Sequence, residues 1–381
     1  MKAVTYQGLK NVVVKDVPAP RIVKKDDAII RLTTTAICGS DLHLIHGMIP
    51  NIGEDYIIGH EPMGVVEEVG PEVTKLKKGD RVIIPFTIAC GECFYCQNHL
   101  ESQCDNSNEN GEMGAYFGYS GTTGGYPGGQ AEYLRVPYAN FTHFKLPEDC
   151  ELPDEKLCLI ADAMTTAFWS VDNAGVKPGD TVIVIGCGPV GLLAQKCAWF
   201  KGAERVIAVD YIGYRLQHAK RTNHVETLDS GMYPSFGEAG LHLKEMTQGG
   251  ADVVIDCSGM SGKMTPIESL AAGLKLHGGA LGGLVIASQA VRKGGTIQIT
   301  GVYGGRYNGF PLGDIFQRNV NVRTGQAPVI HYMPYMYELI ASGRIDPGDV
   351  VTHVLPLSEA KHGYEIFDTR QDDCIKVVLK P

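Results

Sequence analysis

Four cysteines in one short run, Cys90, Cys93, Cys96 and Cys104, follow the spacing C-x2-C-x2-C-x7-C. Thiolates this near in sequence close a tetrahedron around Zn²⁺ and leave no position for a substrate, so the run reads as a structural staple. A second metal set, with one position open, is read in Cys38, His60 and Asp162. Cys38 opens the short run Cys38-Gly39-Ser40-Asp41-Leu42-His43, and His60 sits within Gly59-His60-Glu61. A catalytic zinc takes three protein ligands and one exchangeable position, where it acts as a Lewis acid and lowers the pKa of a bound hydroxyl. Asp162 is the third candidate and Cys158 the alternative. Glu61 is placed behind the ligands or as a temporary fourth one, and Asp41 as a carboxylate that orients a ligand or a neighbouring base. The plainer alternatives are a buried thiol at Cys38, a satisfied imidazole at His60 and a helix cap at Asp162.

The third feature is a phosphate loop. Thr181-Val182-Ile183-Val184-Ile185 reads as a strand buried on both faces, Gly186-Cys187-Gly188-Pro189-Val190-Gly191 as GxGxxG, and the apolar run after it as a helix. Gly186 permits the tight turn, Gly188 the approach of a pyrophosphate, and Gly191 close packing of helix on strand. Pro189 and Val190 open the helix that faces the phosphates. Asp210, 24 residues after Gly186 (210 − 186), ends the next strand. A carboxylate there accepts the ribose hydroxyls and repels a 2′-phosphate, which favours NAD over NADP; Arg215 nearby keeps NADP open. Thr166 is assigned to the cofactor as well.

The elements that must position these groups fall into three stretches. The first 140 residues are β-rich, with strands read at 28–32, 64–69 and 81–85 between Gly, Pro and Asp turn signals. The segment 121–129 holds five glycines in nine residues and reads as a mobile surface loop or a close backbone approach. From 157 to 174 the pattern is helical, broken by Lys177-Pro178-Gly179-Asp180. Strands then alternate with helices (181–185, 205–209, 253–256, 296–300), which argues for a doubly wound parallel sheet. Strands at 351–357 and 374–379 are expected to rejoin the N-terminal part.

The 381 residues suffice for two domains. A net charge of −9 with no basic block opposes nucleic-acid binding. The most apolar long window, 181–200, contains Gln195, Lys196 and three glycines, so no membrane span is expected. Eleven cysteines with no apolar leader favour thiols and metal ligands over disulfides, and a cytoplasmic location.

On the Cys38–His43 run, Gly59-His60-Glu61, the four-cysteine lobe and the glycine loop, the chain resembles the zinc-dependent medium-chain alcohol dehydrogenases over essentially its full length. The resemblance implies an α/β protein in which a Rossmann NAD-binding domain (164–323) is inserted in a β-rich GroES-like catalytic domain (1–163, completed by 324–381). It implies one catalytic and one structural Zn²⁺, a small alcohol or aldehyde substrate, and a homodimer or homotetramer. It also implies a proton relay from Ser40 through the nicotinamide ribose to His43, with His46 as the nearby alternative. Many members carry cysteine where this chain has Asp162; aspartate there is shared with the glutathione-independent formaldehyde dehydrogenases. Thr324-Gly325-Gln326-Ala327-Pro328-Val329 and the stretch 259–295 are similar to that branch, in which a comparable insertion covers the cofactor. Phe86 is placed in the substrate pocket, with Tyr116, Phe117 and Met164 as weaker candidates.

Two rival functions stay open on these residues. One is a formaldehyde dehydrogenase or dismutase that keeps NAD bound through turnover. The other is a zinc-stabilised, nucleotide-binding sensor without redox turnover; a full set of Ser40, His43 and three open-site ligands argues against it.

Overall fold

A computed structural model describes residues 1–109, 111, 113–262, 280–304, 307 and 309–381. Of the stretch 259–295 singled out above, residues 263–279 lie outside the described set. The chain forms two compact units, Met1–Thr165 with Ala327–Pro381, and Thr166–Gln326.

The first unit is built on a seven-stranded sheet. Its order is Val351–Pro356, Lys376–Lys380, Ala28–Ile37, Met63–Val69, Arg81–Ile83 and Phe144–Lys145, with Tyr133–Val136 also paired to Ala28–Ile37. All pairs are antiparallel except the first. The long strand Ala28–Ile37 is buried along nearly its whole length, as its Ile, Leu, Thr and Ala content requires, with Arg31 its one exposed residue. The expected return of the C-terminal strands is observed: Val377 pairs with Ile37, and Leu379 with Thr35.

This register positions the chemistry. Cys38 follows the last residue of strand Ala28–Ile37, and His60 lies three residues before its antiparallel neighbour Met63–Val69. In an antiparallel pair the end of one strand and the start of the next lie at the same edge. Residues 22 apart in sequence (60 − 38) are thereby delivered to one spot. The chain then turns at Cys38 into helix Gly39–Ile45, where Asp41 sits at the third helical position and accepts a hydrogen bond from the Cys38 N–H at 3.0 Å.

The segment 157–174 departs from a continuous helix. A short α-turn Asp154–Leu157 passes into a 3₁₀ turn Cys158–Ala161, and the backbone breaks at Asp162 (φ −153°, ψ −77°) before helix Ala163–Ala174. Two bonds hold this break: the Phe86 N–H donates to the Ala161 carbonyl at 3.1 Å, and the Thr165 hydroxyl to the Ile160 carbonyl at 2.6 Å. Periodicity sees only the apolar spacing and is blind to such a tertiary tie. The glycine-rich segment 121–129 ends in close backbone approach, since Gly128 N–H donates to Ile57 O and Gly129 N–H to Gly59 O, both at 2.8 Å.

The second unit is a six-stranded parallel sheet. Its order is Glu226–Asp229, Arg205–Asp210, Thr181–Ile185, Ala251–Asp256, Val291–Ile299 and Asn321–Thr324. Numbered along the chain this is 3-2-1-4-5-6, the dinucleotide-binding order, with its switch point between strands 1 and 4. The buried side chains Ile183, Ile207, Val254 and Ile297 pack in a core with Leu243 and Ile286 from the covering helices. Among the described residues no helix is long and apolar enough to cross a membrane.

Candidate metal centres and nucleotide loop

At the edge just described, Cys38, His60, Glu61 and Asp162 are all buried, and one ligand atom from each lies within 4.8 Å of the others. Asp162 Oδ2 is the common point, 3.5 Å from Cys38 Sγ and 3.4 Å from His60 Nε2. Zinc bonds of about 2.0–2.3 Å at the tetrahedral angle put donor atoms about 3.3–3.8 Å apart. The donor set therefore has both the chemistry and the spacing for Zn²⁺. Cys158 is not part of it, since its thiol is turned to the Glu155 carbonyl at 3.4 Å.

The surroundings orient these donors. Asp41 Oδ1 faces His60 Nδ1 at 3.2 Å, which leaves Nε2 directed toward Asp162. Asp41 Oδ2 also accepts from the Gln130 amide at 3.2 Å, and Gln130 Oε1 accepts from the Tyr364 hydroxyl at 2.9 Å. Burial disfavours a charged His60, but the Asp41 carboxylate outweighs it, with help from Cys38 and Asp162, and holds the imidazole pKa well above its ordinary value. A metal entering here displaces that proton. Burial, followed by the Asp162 charge, pushes the Cys38 thiol up. Replacing Asp41 with Asn keeps an acceptor for the Cys38 N–H but removes the charge behind His60. The expected loss is about 10–100-fold in affinity for the metal at this site, measured by chelator competition, with no change at the cysteine lobe.

Glu61 shows what the sequence could not. It pairs with Lys376, and both side chains are almost fully buried. Its Oε1 has no hydrogen-bond partner among the described residues. Burial raises the carboxyl to about 6, with Lys376 opposing and Asp162 assisting. Lys376 was missed because it lies 315 positions away; its one signal is a lone charge within Cys374-Ile375-Lys376-Val377-Val378.

Ser40 is half-buried in the first turn of helix Gly39–Ile45. His43, one turn on, is 5% exposed; burial and then His46 push its pKa down to about 4, so it is uncharged at neutral pH. His46 is engaged elsewhere, 2.9 Å from Asp368. Phe86 and Tyr119 present their edges to the His60 ring at 6.3 and 6.2 Å between centroids. Tyr116 packs on Phe86 at 5.3 Å, while Phe117 and Met164 are fully buried.

The four lobe cysteines also form one cluster within 4.8 Å. Cys93 Sγ lies 3.5 Å from Cys96 Sγ and 3.9 Å from Cys104 Sγ, and Cys90 Sγ lies 3.9 Å from Cys96 Sγ. An ideal zinc–sulfur tetrahedron has edges of about 3.8 Å. The N–H groups of Glu92 and Cys93 point at Cys90 Sγ at 3.4 and 3.3 Å, and support negative charge on sulfur.

In the second unit, Gly186 takes φ +92°, which favours glycine, and a Cβ on Gly191 would lie 1.8 Å from the Gly186 carbonyl oxygen. Gly188 caps helix Pro189–Phe200, with Pro189 at its first position and Val190 at its second. Asp210 Oδ2 accepts from the Cys187 N–H at 2.6 Å and Oδ1 from the N–H groups of Tyr211 and Ile212 at 2.7 and 3.0 Å. That fixes the carboxylate at the loop. Arg215 reaches the same loop, its guanidinium 3.8 Å from where a Gly188 Cβ would be. Thr166 lies in helix Ala163–Ala174.

Residues 24–148 match the alcohol dehydrogenase GroES-like domain and residues 189–278 the zinc-binding dehydrogenase family. An uncharacterized zinc-type alcohol dehydrogenase-like protein from Bacillus subtilis, AdhB, is 78% identical over the full length of both chains. The chain belongs to the zinc-type alcohol dehydrogenase family. As such it is a zinc-dependent oxidoreductase with a GroES-like part and a Rossmann-type part. The chain is also 33% identical to the glutathione-independent formaldehyde dehydrogenase of Bacillus subtilis, over 96% of this chain and 94% of the other. Among solved structures, alcohol dehydrogenase TADH from Thermus sp. ATN1 superposes with a TM-score of 0.83 at 36% identity, covering 100% and 99% of the two chains.

Proposed function

We propose that the protein oxidises a small alcohol or an aldehyde hydrate with NAD, holding one zinc on Cys38, His60 and Asp162 and a second on the cysteine lobe. The observation that carries this reading is the convergence of a thiol and an imidazole on one carboxylate oxygen, at 3.5 and 3.4 Å. When bound, the open-site zinc supplies Lewis acidity toward an alcohol oxygen and the dinucleotide supplies the hydride acceptor. The remaining work belongs to the chain. Ser40 Oγ takes the hydroxyl proton, and the uncharged His43 imidazole receives it on the way to solvent. Asp41 keeps His60 Nε2 turned to the metal. The Glu61–Lys376 pair balances charge behind it, and Phe86 and Tyr119 exclude water beside the ring. Residues 1–163 and 324–381 serve as the catalytic domain and 164–323 as the nucleotide domain.

Asp210 is proposed to select NAD, with its carboxylate accepting the adenosine ribose hydroxyls. Substituting Asp210→Asn removes the charge and is expected to lower the NAD-over-NADP ratio of kcat/KM by about 10–100-fold, the worth of a charge-assisted hydrogen bond. A panel of alcohols and aldehydes, followed at the NADH absorbance with each dinucleotide, measures both the activity and this ratio. No alcohol-dependent signal with the zinc-loaded protein would reject the reading.

A second reading draws on the 33% identity to a glutathione-independent formaldehyde dehydrogenase. In it, NAD stays bound through turnover. Nicotinamide absorbance that survives exhaustive dialysis supports it, and free exchange of the cofactor rejects it.

A further inference from the structure

A third group of metal-binding side chains lies outside both sites described above. His99, Glu101 and His331 each offer one ligand atom, and these lie within 4.8 Å of one another. The first two come from the cysteine-lobe segment and the third from helix Val329–Ala341, 230 residues after Glu101 (331 − 101). Local structure delivers each of them. Helix Phe94–Gln97 ends at Asn98, and His99 follows in the left-handed region at φ +58°, a conformation that histidine enters more readily than most residues. Glu101 opens the 3₁₀ turn Glu101–Gln103. Beside His331, Ile330 packs on the buried cluster of Ala89, Cys96 and Cys104, which seats the start of the helix against the lobe.

We propose that His99, Glu101 and His331 form a third divalent-metal site, taking Zn²⁺ through two imidazole nitrogens and one carboxylate oxygen. Two independent observations point to a cation. Glu101 is 2% exposed, yet its Oε2 has no hydrogen-bond partner among the described residues. A buried carboxylate oxygen left in this state is costly unless a cation meets it. The two imidazole rings are stacked 4.1 Å apart at 31°, an arrangement that repels if both are protonated and that a shared cation reconciles with neutral rings. The donor set of two nitrogens and one oxygen suits zinc, nickel or copper and disfavours calcium and magnesium. Both histidines are exposed, so the site has an entry path and free coordination positions for water. The metal would clip the return segment of the chain to the cysteine lobe.

The test uses the full-length protein and zinc alone. Wild type, His99→Ala and His331→Ala are dialysed in buffered zinc, and bound metal per chain is counted by mass spectrometry. The wild type is expected to bind one equivalent more than either variant. It should also gain thermal stability on zinc addition that both variants lack. The two histidines are exposed, so the truncations leave the core intact, and circular dichroism checks that. Cobalt(II) distinguishes the site: its visible bands should appear in the wild type without adding thiolate charge-transfer absorption, unlike metal at either cysteine-containing site. Equal metal counts in wild type and both variants would overturn the proposal. The count is a difference between proteins, so it stands whether or not the dehydrogenase reading survives.

Discussion

Replacing Asp162 with alanine is expected to empty the Cys38–His60 site and abolish turnover while leaving the cysteine lobe loaded. Asp162 Oδ2 is the atom that both other donors approach. Without it, a thiol and an imidazole remain beside Glu61, whose carboxylate is engaged by Lys376, and two donors hold zinc far less tightly than three. A Lewis acid contributes several kcal/mol to an alcohol oxidation, so the loss in kcat/KM is on the order of a thousandfold or more. Zinc per chain should fall by one equivalent, while the lobe keeps its own. A control separates metal from fold. In the metal-free wild type the carboxylates hold His60 protonated, so zinc entry expels a proton. The lobe thiols release protons to zinc in both proteins, so calorimetry in buffers of different ionisation enthalpy should detect more protons released per chain in the wild type than in Asp162→Ala. Two zincs per chain and normal turnover in the variant would remove Asp162 from the ligand set.

The second large effect is expected at the lobe. Cys104→Ser breaks a tetrahedron whose sulfurs already sit 3.5–3.9 Å apart. Among the described residues the apolar cluster that holds the lobe is small. It comprises Ala89, Cys96 and Cys104, with a few partly buried neighbours. Structural zinc supplies folding energy outright in such small cores. A loss of about 3–5 kcal/mol corresponds to a fall of about 10 °C in the thermal midpoint. Scanning calorimetry with metal analysis should show the lost zinc and the lower midpoint together. The open site should keep its ion, so activity measured well below the transition should persist. An unchanged midpoint with the lobe zinc gone would show the staple to be dispensable.

Much of this architecture could be read from the residues. The parallel sheet announced itself through strands such as Thr181–Ile185, because a strand buried on both faces must be apolar throughout. The cysteine lobe was legible because all its donors lie within one short run, where spacing alone fixes the possible geometry. The open site was harder, since Asp162 is 124 residues from Cys38. Composition cannot convey that an antiparallel register and a bend at Asp162 bring them together. What stayed hidden depends on tertiary contacts of ordinary-looking residues. Gln130 and Tyr364 brace Asp41 through side-chain hydrogen bonds that span 89 and 234 positions. The low pKa of His43 likewise arises from burial and from His46, a property of packing rather than residue type.

The pairing of Lys376 with Glu61 sets a timetable for synthesis. The ribosome adds 315 residues between the two, which takes roughly 15–60 s at ordinary elongation rates. Throughout that interval the nascent Glu61 has no cationic mate, and strand Ala28–Ile37 lacks its later neighbour Lys376–Lys380. The pocket therefore cannot reach its final charge balance until Lys376 has been translated. Any ion that this edge takes in its finished state must therefore enter after the interposed parallel sheet, whose last strand is Asn321–Thr324, has been made.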